Sequence, residues 1–526
     1  LKNCFQSVFP TGSYSQGDRP MDLILEGLSL SLTLESLLAI SIGVAAGQIL
    51  GAIPGLTASM AVALLIPYSF YFSPWIGIPM LLGMFKGSFF GASTTAILIR
   101  TPGTPAAAAT VLDGYPLAQK GKGAKAMKMA LYSSVFGDTF SDICLIFFAS
   151  LLALVALSFG PAEYTVLIVL ALGSLGMLSS RPAWKGVVAM LMGVTIGMIG
   201  LDPITATERL TFGNPELEEG IGLIPMLIGF LAVSEVFRQM DDSTDELSGR
   251  AINFSSKRED NRVSWPEFRG CIPVLFRSSM LGTIIGAMPG LGATVAAFIA
   301  YGEARRTSKK PEEFGKGSLE GIAAPEAANN AVSGSNLIPL LAFGIPGDIA
   351  AALILGAFMI QGINVGPLAF SQNPVPLYAI YGALILANLV NLALGFGLVR
   401  VSRFVFKVPR RMLLASVLVI ASAGSYALRG SIFDIQLVFI FGVLGFIMMR
   451  YGFPTVPLLI GFILMPLLEE NLRTVLLLAS TYDEGILFVF KRPAFLAMTA
   501  LLISIASYIG WRRRRHRRAE LPTTDS

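Results

Sequence analysis

Gly51-Ala-Ile-Pro-Gly-Leu56 recurs as Gly286-Ala-Met-Pro-Gly-Leu291, and Thr101-Pro-Gly-Thr-Pro-Ala-Ala107 recurs as Ile345-Pro-Gly-Asp-Ile-Ala-Ala351. The two motifs keep their order and similar spacing, which marks an internal repeat. A Gly-rich apolar stretch precedes the second motif in each half, at 83–99 and 328–343. Proline removes a backbone donor and glycine permits non-helical dihedrals, so all four Pro-Gly pairs are expected to break helices.

The surrounding composition places those breaks in a membrane. Of 526 residues, 54% are hydrophobic and 14% charged, against about 25% charged in soluble domains. Mean hydropathy is +0.68. The apolar residues run together into about nine stretches near the roughly 20 residues a span needs, with shorter interrupted ones between them. The expected fold is an all-α polytopic membrane protein of two inverted-topology repeats with broken or re-entrant helices and about 10–12 transmembrane segments. Residues 1–20, polar and carrying Gly and Pro, read as a disordered extension; no apolar core follows Lys2 as a secretory signal requires. The first membrane repeat is 21–237, a charged cytoplasmic linker 238–270, the second repeat 271–511 and a basic cytoplasmic tail 512–526.

Lysine and arginine in short loops orient the spans. Lys120, Lys122, Lys125 and Lys128 mark a cytoplasmic loop, from which 129–157 crosses outward. The chain returns over 163–178 to Arg181 and Lys185, and crosses out over 187–200 to an acidic loop with Asp202, Glu208, Glu216, Glu218 and Glu219. It comes back over 221–237. In the second half, 378–399 ends at Arg400, Arg403, Lys407, Arg410 and Arg411; a hairpin of 412–428 and 435–449 ends at Arg450; 454–467 leads out to Glu469 and Glu470. The helix after the first repeat thus starts inside and its counterpart starts outside, so the halves run in opposite senses. Lys491 and Arg492 fall on the outer side, an exception to the rule. The arginine run after 494–510 reads as a positive-inside anchor; without a folded basic domain, nucleic-acid binding is not expected.

Broken helices offer free N–H groups and a positive dipole end to an anion, and freed carbonyls can hold Na⁺. Polar residues gather at the same places: Ser93, Thr94, Thr95, Thr101 and Thr104 in the first half, and Asn329, Asn330, Ser333, Ser335, Asn336 and Asp348 in the second. They either bind substrate and a coupling ion or bond helix to helix. Lys86 and Arg100 are intramembrane or juxtamembrane cations that either pair with a carboxylate or snorkel to the interface, the second reading weighing as much as the first for Arg100. Asp138 and Asp142, four apart on one helical face, are a cation or proton site or the partners of a basic group elsewhere. The substrate-binding candidates are Ser93, Thr94, Thr95, Arg100, Thr101, Gly103, Asn329, Asn330, Ser335, Asn336 and Gly347. The coupling-ion candidates are Gly55, Gly290, Asp348 and Asp138.

No enzyme is expected. The single histidine, His516, lies in the tail and excludes Ser-His-Asp chemistry. No Walker lysine loop is present. Cys4, Cys144 and Cys271 are too far apart for metal-ligand spacing. A two-aspartate intramembrane protease needs facing helices, whereas Asp138 and Asp142 share one. No cofactor is expected.

The motifs also resemble a known family. Gly51–Leu56, Gly91-Ala-Ser-Thr-Thr-Ala-Ile-Leu-Ile-Arg-Thr-Pro-Gly-Thr-Pro-Ala106, Leu112-Asp-Gly-Tyr-Pro116, Gly200-Leu-Asp-Pro-Ile204, Ala324-Pro-Glu-Ala-Ala-Asn-Asn330 and Phe343-Gly-Ile-Pro-Gly-Asp348 resemble the large membrane subunit of tripartite tricarboxylate transporters. That resemblance implies a multi-pass protein of the bacterial inner membrane with a small four-helix membrane subunit and a periplasmic solute-binding protein as partners. It implies import of citrate-like or other carboxylates by Na⁺ or H⁺ symport, without ATP, and, by analogy with other binding-protein-dependent carriers, an elevator-type movement. The family commonly has a Tyr near Lys86 and an Asn near Arg100; the extra cations here point to a different anion. A partner-independent anion channel or exporter is the alternative.

Overall fold

The structure is a computed structural model and describes residues 20–53, 55–179, 182–241, 255–372, 374–405, 410–483, 485–500 and 502–504. The expected N-terminal extension up to residue 19, Pro54, Arg181, the middle of the linker (242–254), Lys407 and the basic tail lie outside the described residues. The first half runs α1 (Pro20–Ser31), α2 (Leu34–Gly51), α3 (Ala58–Ser69), α4 (Pro74–Ile99), α5 (Ala108–Leu117), α6 (Gly123–Ala156), α7 (Pro161–Leu178) and α8 (Ala183–Gly197). A two-residue hairpin, β1 (Gly200–Leu201) with β2 (Glu208–Arg209), precedes α9 (Leu223–Ile228) and α10 (Ser234–Asp241), which are continuous through a π-turn. The second half runs α11 (Trp265–Gly286), α12 (Gly292–Thr307), α13 (Leu319–Ser335), α14 (Leu337–Phe343), α15 (Ile349–Ile360), α16 (Pro367–Gln372), α17 (Val375–Val405), α18 (Arg410–Arg429), α19 (Ile432–Arg450) and α20 (Thr455–Thr481). Among the described residues nine helices are long and apolar enough to cross a membrane, so the chain is an all-α polytopic membrane protein.

Helix starts follow local chemistry. Ser264 and Glu267 form a capping box ahead of α11, with Pro266 in its first turn, satisfying amides that have no intrahelical partner. Gly160 donates to Glu163 across the first turn of α7 at 2.9 Å. Each sequence-expected break interrupts helix: between α2 and α3, α4 and α5, α11 and α12, and α14 and α15. At Gly290 φ is +95°, left-handed backbone that disfavours any side chain. Gly103 is required for space instead. A Cβ there would stand 2.5 Å from the Gly51 carbonyl oxygen, at the junction where the first two breaks touch.

Small residues let the central helices pack backbone to backbone, as membrane helices do. Gly43, Gly47 and Gly51 of α2 lie against the backbone of Met80, Met84 and Ser88 in α4. Gly282 of α11 lies against Ala328 of α13 in the same way, and Gly137 of α6 against Ala327. The packing crosses between halves: α6, which follows the first pair of breaks, lies on α13 and α11, while α17, which follows the second pair, lies on α4 and α2.

Charged loops collect at two ends. At one, Lys122 pairs with Asp260, Lys125 with Glu267 at 2.7 Å, and Lys120 donates to the Lys316 carbonyl. At the other, Asp202 pairs with Arg473, Arg209 with Glu469 at 2.8 Å, and Arg429 with both Glu219 and Asp434. Arg492, the exception to the charge rule, is bound to Glu163 at 2.5 Å, so a carboxylate on α7 accounts for a cation there. Helix α20 continues past the expected end near Leu467 to Thr481, because Glu469 and Arg473 pair one turn apart and carry it into the polar hairpin.

Candidate functional site

The four breaks meet at one cavity of about 660 Å³. Its wall takes Thr57 and Ser59 from the start of α3, Thr104–Ala106 from the approach to α5, Gly290–Val295 at the start of α12, and Gly347–Ala350 at the start of α15. Phe85 and Phe89 of α4, Leu175 of α7 and Ser179 just after it, Phe230 before α10, Glu235 of α10 and Met449 of α19 also line it. A second cavity of about 380 Å³ lies across the fourth break, against Phe343–Ile345, Tyr164 and Asn471. The segment joining α14 to α15 is therefore the partition between two cavities.

Each of the four helices begins at the larger cavity. The first amides of a helix lack intrahelical acceptors, and its dipole makes that end positive. At α3, Thr57 caps the Met60 amide. At α5 and α12 no side chain caps the first turn. At α15, Asp348 Oδ1 accepts from the Ala351 amide at 2.8 Å. The wall is otherwise apolar and small, with hydroxyls from Thr57, Ser59, Thr104, Ser179, Ser234 and Thr294. A cavity with convergent amides and hydroxyls, and the carboxylates of Asp348 and Glu235 in its lining, is suited to an anion with a cation beside it.

Of the residues singled out by sequence, Thr104, Gly290, Gly347 and Asp348 line this cavity. Gly55 lies just before Thr57, against the Gln239 side chain. Gly103 seals the junction with α2. Thr101 donates to the Ile99 carbonyl. Arg100 is exposed at the end of α4, with φ +59° and its guanidinium over the Tyr115 ring. The remaining polar residues lie behind the cavity wall. Thr94 and Thr95 donate to carbonyls of their own helix, as does Ser335. Asn336 is buried against Gly347, and Asn329 is buried with both amide atoms unpartnered.

Two buried ionic clusters sit there too. Lys86 donates to Asp138 at 3.1 Å and to Asp142 at 2.9 Å; Ser333 donates to Asp138, and Asn388 to Asp142 at 2.7 Å. Glu326 receives hydroxyls from Ser93 at 2.6 Å, Thr110 at 2.5 Å and Ser134 at 3.0 Å. Sequence reasoning gave Glu326 no role, although an acid in the middle of a buried helix is itself a signal. It also passed over Thr57, Ser59, Ser179 and Glu235, which carry no sequence mark beyond polarity.

The chain matches, over residues 37–460, the family described as the tripartite tricarboxylate transporter TctA family. It is 38% identical over 465 residues to an uncharacterized 52.8 kDa protein in the TAR-I ttuC' 3' region of Agrobacterium vitis, covering 87% of this chain and 91% of that one. It is also 38% identical over 198 residues to an uncharacterized protein in the TAR-II ttuC' 3' region of the same organism, covering 38% of this chain and 82% of the relative. No solved structure matches it. A family match across most of the chain, on a helical membrane fold whose breaks converge on one cavity, places it: the chain belongs to the tripartite tricarboxylate transporter TctA family and is a tricarboxylate-transporter large subunit.

Proposed function

We propose that the chain imports a tricarboxylate or related carboxylate across the bacterial inner membrane by symport with Na⁺ or H⁺, taking its substrate from a periplasmic solute-binding protein and working with a small four-helix membrane subunit. One observation carries the substrate class: four helix N-termini, each released by a Pro-Gly break, point at one cavity. Four partial positive ends, those of α5 and α12 without a side-chain cap, suit a multiply charged carboxylate in low dielectric, without a fixed cation that would trap it. Gly290, Gly347 and the hydroxyl of Thr104 contact the anion in this reading. The seven buried polar residues behind the wall, Ser93, Thr94, Thr95, Asn329, Asn330, Ser335 and Asn336, hold the breaks in place, and Arg100 and Thr101 steady the second one.

The halves act as inverted repeats. The exchange of α6 and α17 between them supports this, because each lies on the other half's broken pair. The larger cavity reaches Ser179 and Met449, next to Lys185 and Arg450, which the charge rule puts in the cytoplasm, so this conformation is inward-facing. Movement of the α14–α15 partition would transfer access to the cavity lined by Tyr164 and Asn471.

The test is uptake of labelled citrate and a panel of small carboxylates into proteoliposomes holding this chain and its small subunit, with the binding protein outside and Na⁺ or H⁺ gradients imposed. Uptake that needs both a gradient and the binding protein is expected. Anion conductance by the chain alone, indifferent to gradient and partner, would instead establish a channel.

A further inference from the structure

Glu326 and the Lys86 cluster lie in one buried seam. On α6, Ser134, Asp138 and Asp142 are four residues apart; on α13, Glu326, Asn330 and Ser333 are four and three apart; on α4, Lys86 and Ser93 are seven apart. Each set occupies one helical face, and the three faces meet. Every one of these side chains is at most 1% exposed, as are Thr110 and Asn388, which close the seam from α5 and α17. From Ser134 to Asp142 the seam spans about 12 Å at 1.5 Å per residue.

Its charges do not balance. Three carboxyl groups, Glu326, Asp138 and Asp142, stand against one ammonium, Lys86, which pairs with the two aspartates. Among the described residues Glu326 makes no ion pair. Burying an uncompensated carboxylate in a membrane core is costly, so such a group takes up a cation or a proton. Three acceptors in the same seam also lack partners: Asp138 Oδ2, Asn330 Oδ1 and Asn388 Oδ1.

We infer that the coupling ion is the proton, and that Glu326, with Asp138 as the second group in excess over Lys86, carries it. This rests on the symport reading above and names its ion. The hydrogen-bond network accepts a proton with one hydroxyl rotation. Ser134 receives Asn330 Nδ2 at 3.0 Å, so its own proton points to Glu326 Oε2. Ser93 Oγ lies 2.6 Å from Glu326 Oε1 and 3.2 Å from the Phe89 carbonyl, and its proton serves either. When Glu326 is ionised, Ser93 and Thr110 both donate to Oε1. When a proton adds to an Oε1 lone pair, the new hydroxyl donates to Ser93 Oγ, and Ser93 turns its proton to Phe89. The proton comes from a hydronium ion, whose O–H bond breaks; no covalent bond within the network breaks and every donor keeps an acceptor. A Na⁺ would have to separate oxygens already in hydrogen-bond contact. Phe89 also lines the substrate cavity, so the acceptor that records protonation belongs to the cavity wall.

Other titratable groups on the packed elements lie outside the seam. Asp113 of α5 accepts from Tyr301 of α12 and from the Gly317 and Ser318 amides. Arg277 of α11 pairs with Glu303 of α12. Cys271 of α11 is buried in a separate apolar cluster. Tyr381 of α17 lies two turns before Asn388, and Arg400 twelve residues after it.

The first measurement needs no substrate: infrared difference spectra of the purified wild-type chain as pH is stepped, with Glu or Asp carboxyl carbons isotopically labelled in turn. A protonated-carboxyl band that titrates and shifts with labelled Glu is expected, and Glu326→Gln should remove it. The second uses the full complex in proteoliposomes with the citrate panel: Glu326→Gln should lose proton-driven accumulation relative to counterflow. Absence of any titrating Glu band in the wild type overturns the proposal, as does accumulation driven by Na⁺ with the proton gradient clamped at zero. Absence of panel uptake by the wild type, with the infrared band present, counts against the carboxylate reading alone.

Discussion

Lys86 Nζ lies 3.0 and 2.9 Å from the two carboxylate oxygens of Asp142, fully inside the helix bundle, and joins α4 of the first half to the helix that follows the first pair of breaks. Asp138 shares the same ammonium at 3.1 Å. Removing one partner of a buried pair leaves an unpaired charge and costs about 3–5 kcal/mol, whereas removing both costs far less. Lys86→Met should therefore lower the thermal unfolding midpoint in detergent strongly, and Lys86→Met with Asp142→Asn should recover part of it, Asp138 alone being left unpaired. A double variant as unstable as the single one would show that Lys86 acts by packing.

The contact of α2 with α4 depends on the absence of a side chain. A Cβ at Gly47 would run into the Met84 carbonyl, which is backbone and cannot swing aside. Gly47→Ala should destabilise the protein by about 1–3 kcal/mol through overpacking, read as a lower unfolding midpoint in detergent. Gly173→Ala, at a position with nothing within 4 Å of the added carbon, should leave it unchanged. Equal effects at both positions would remove close packing as the cause.

These two sites show what the sequence made legible. Proline and glycine act on their own backbone, so all four breaks could be placed from local chemistry, and the apolar runs marked the spans. The pairing of Lys86 with Asp138 and Asp142 was open, because a charge names a need for a partner without saying where it is. Ser93, Thr94 and Thr95 look alike in sequence. Helical rotation turns Ser93 to Glu326, while Thr94 and Thr95 bond their own helix. The polar residues were expected near the breaks as one cluster; packing divides them between a cavity wall and a seam behind it. Glu326 gathers hydroxyls from three helices far off in the chain, which no spacing rule reveals.

At the far end of the molecule, hydrogen bonds from Arg473 first, then from the Thr205 and Ile204 amides, hold the Asp202 carboxyl well below the usual carboxylate range. A depressed folded-state value means that this carboxylate stabilises the fold fully above the unfolded value of about 3.9 and progressively less as pH falls below it. Asp202→Asn should therefore lower the unfolding midpoint at neutral pH, and the gap from wild type should narrow once pH drops below about 4. A gap that stays constant across that window would mean the carboxylate contributes shape alone.

Asp348 separates two roles at the cavity rim. Its Oδ1 caps the first turn of α15 through the Ala351 amide, and its charge stands at the entrance to a cavity suited to anions. Asparagine caps about as well as aspartate, whereas alanine costs about 1 kcal/mol. Asp348→Ala should therefore lower the unfolding midpoint modestly, and Asp348→Asn should not. The charge works in the opposite sense on transport. Two like charges about 10 Å apart at an effective dielectric near 20 repel by roughly 1–2 kcal/mol, so Asp348→Asn should lower KM for the transported anion by about tenfold. If the Asn variant folds normally but no longer couples uptake to the gradient, Asp348 holds the coupling ion, and the seam at Glu326 does not carry it alone. A lower KM with coupling intact makes Asp348 a cap whose charge limits affinity, which favours release of a substrate that four helix ends would otherwise hold tightly.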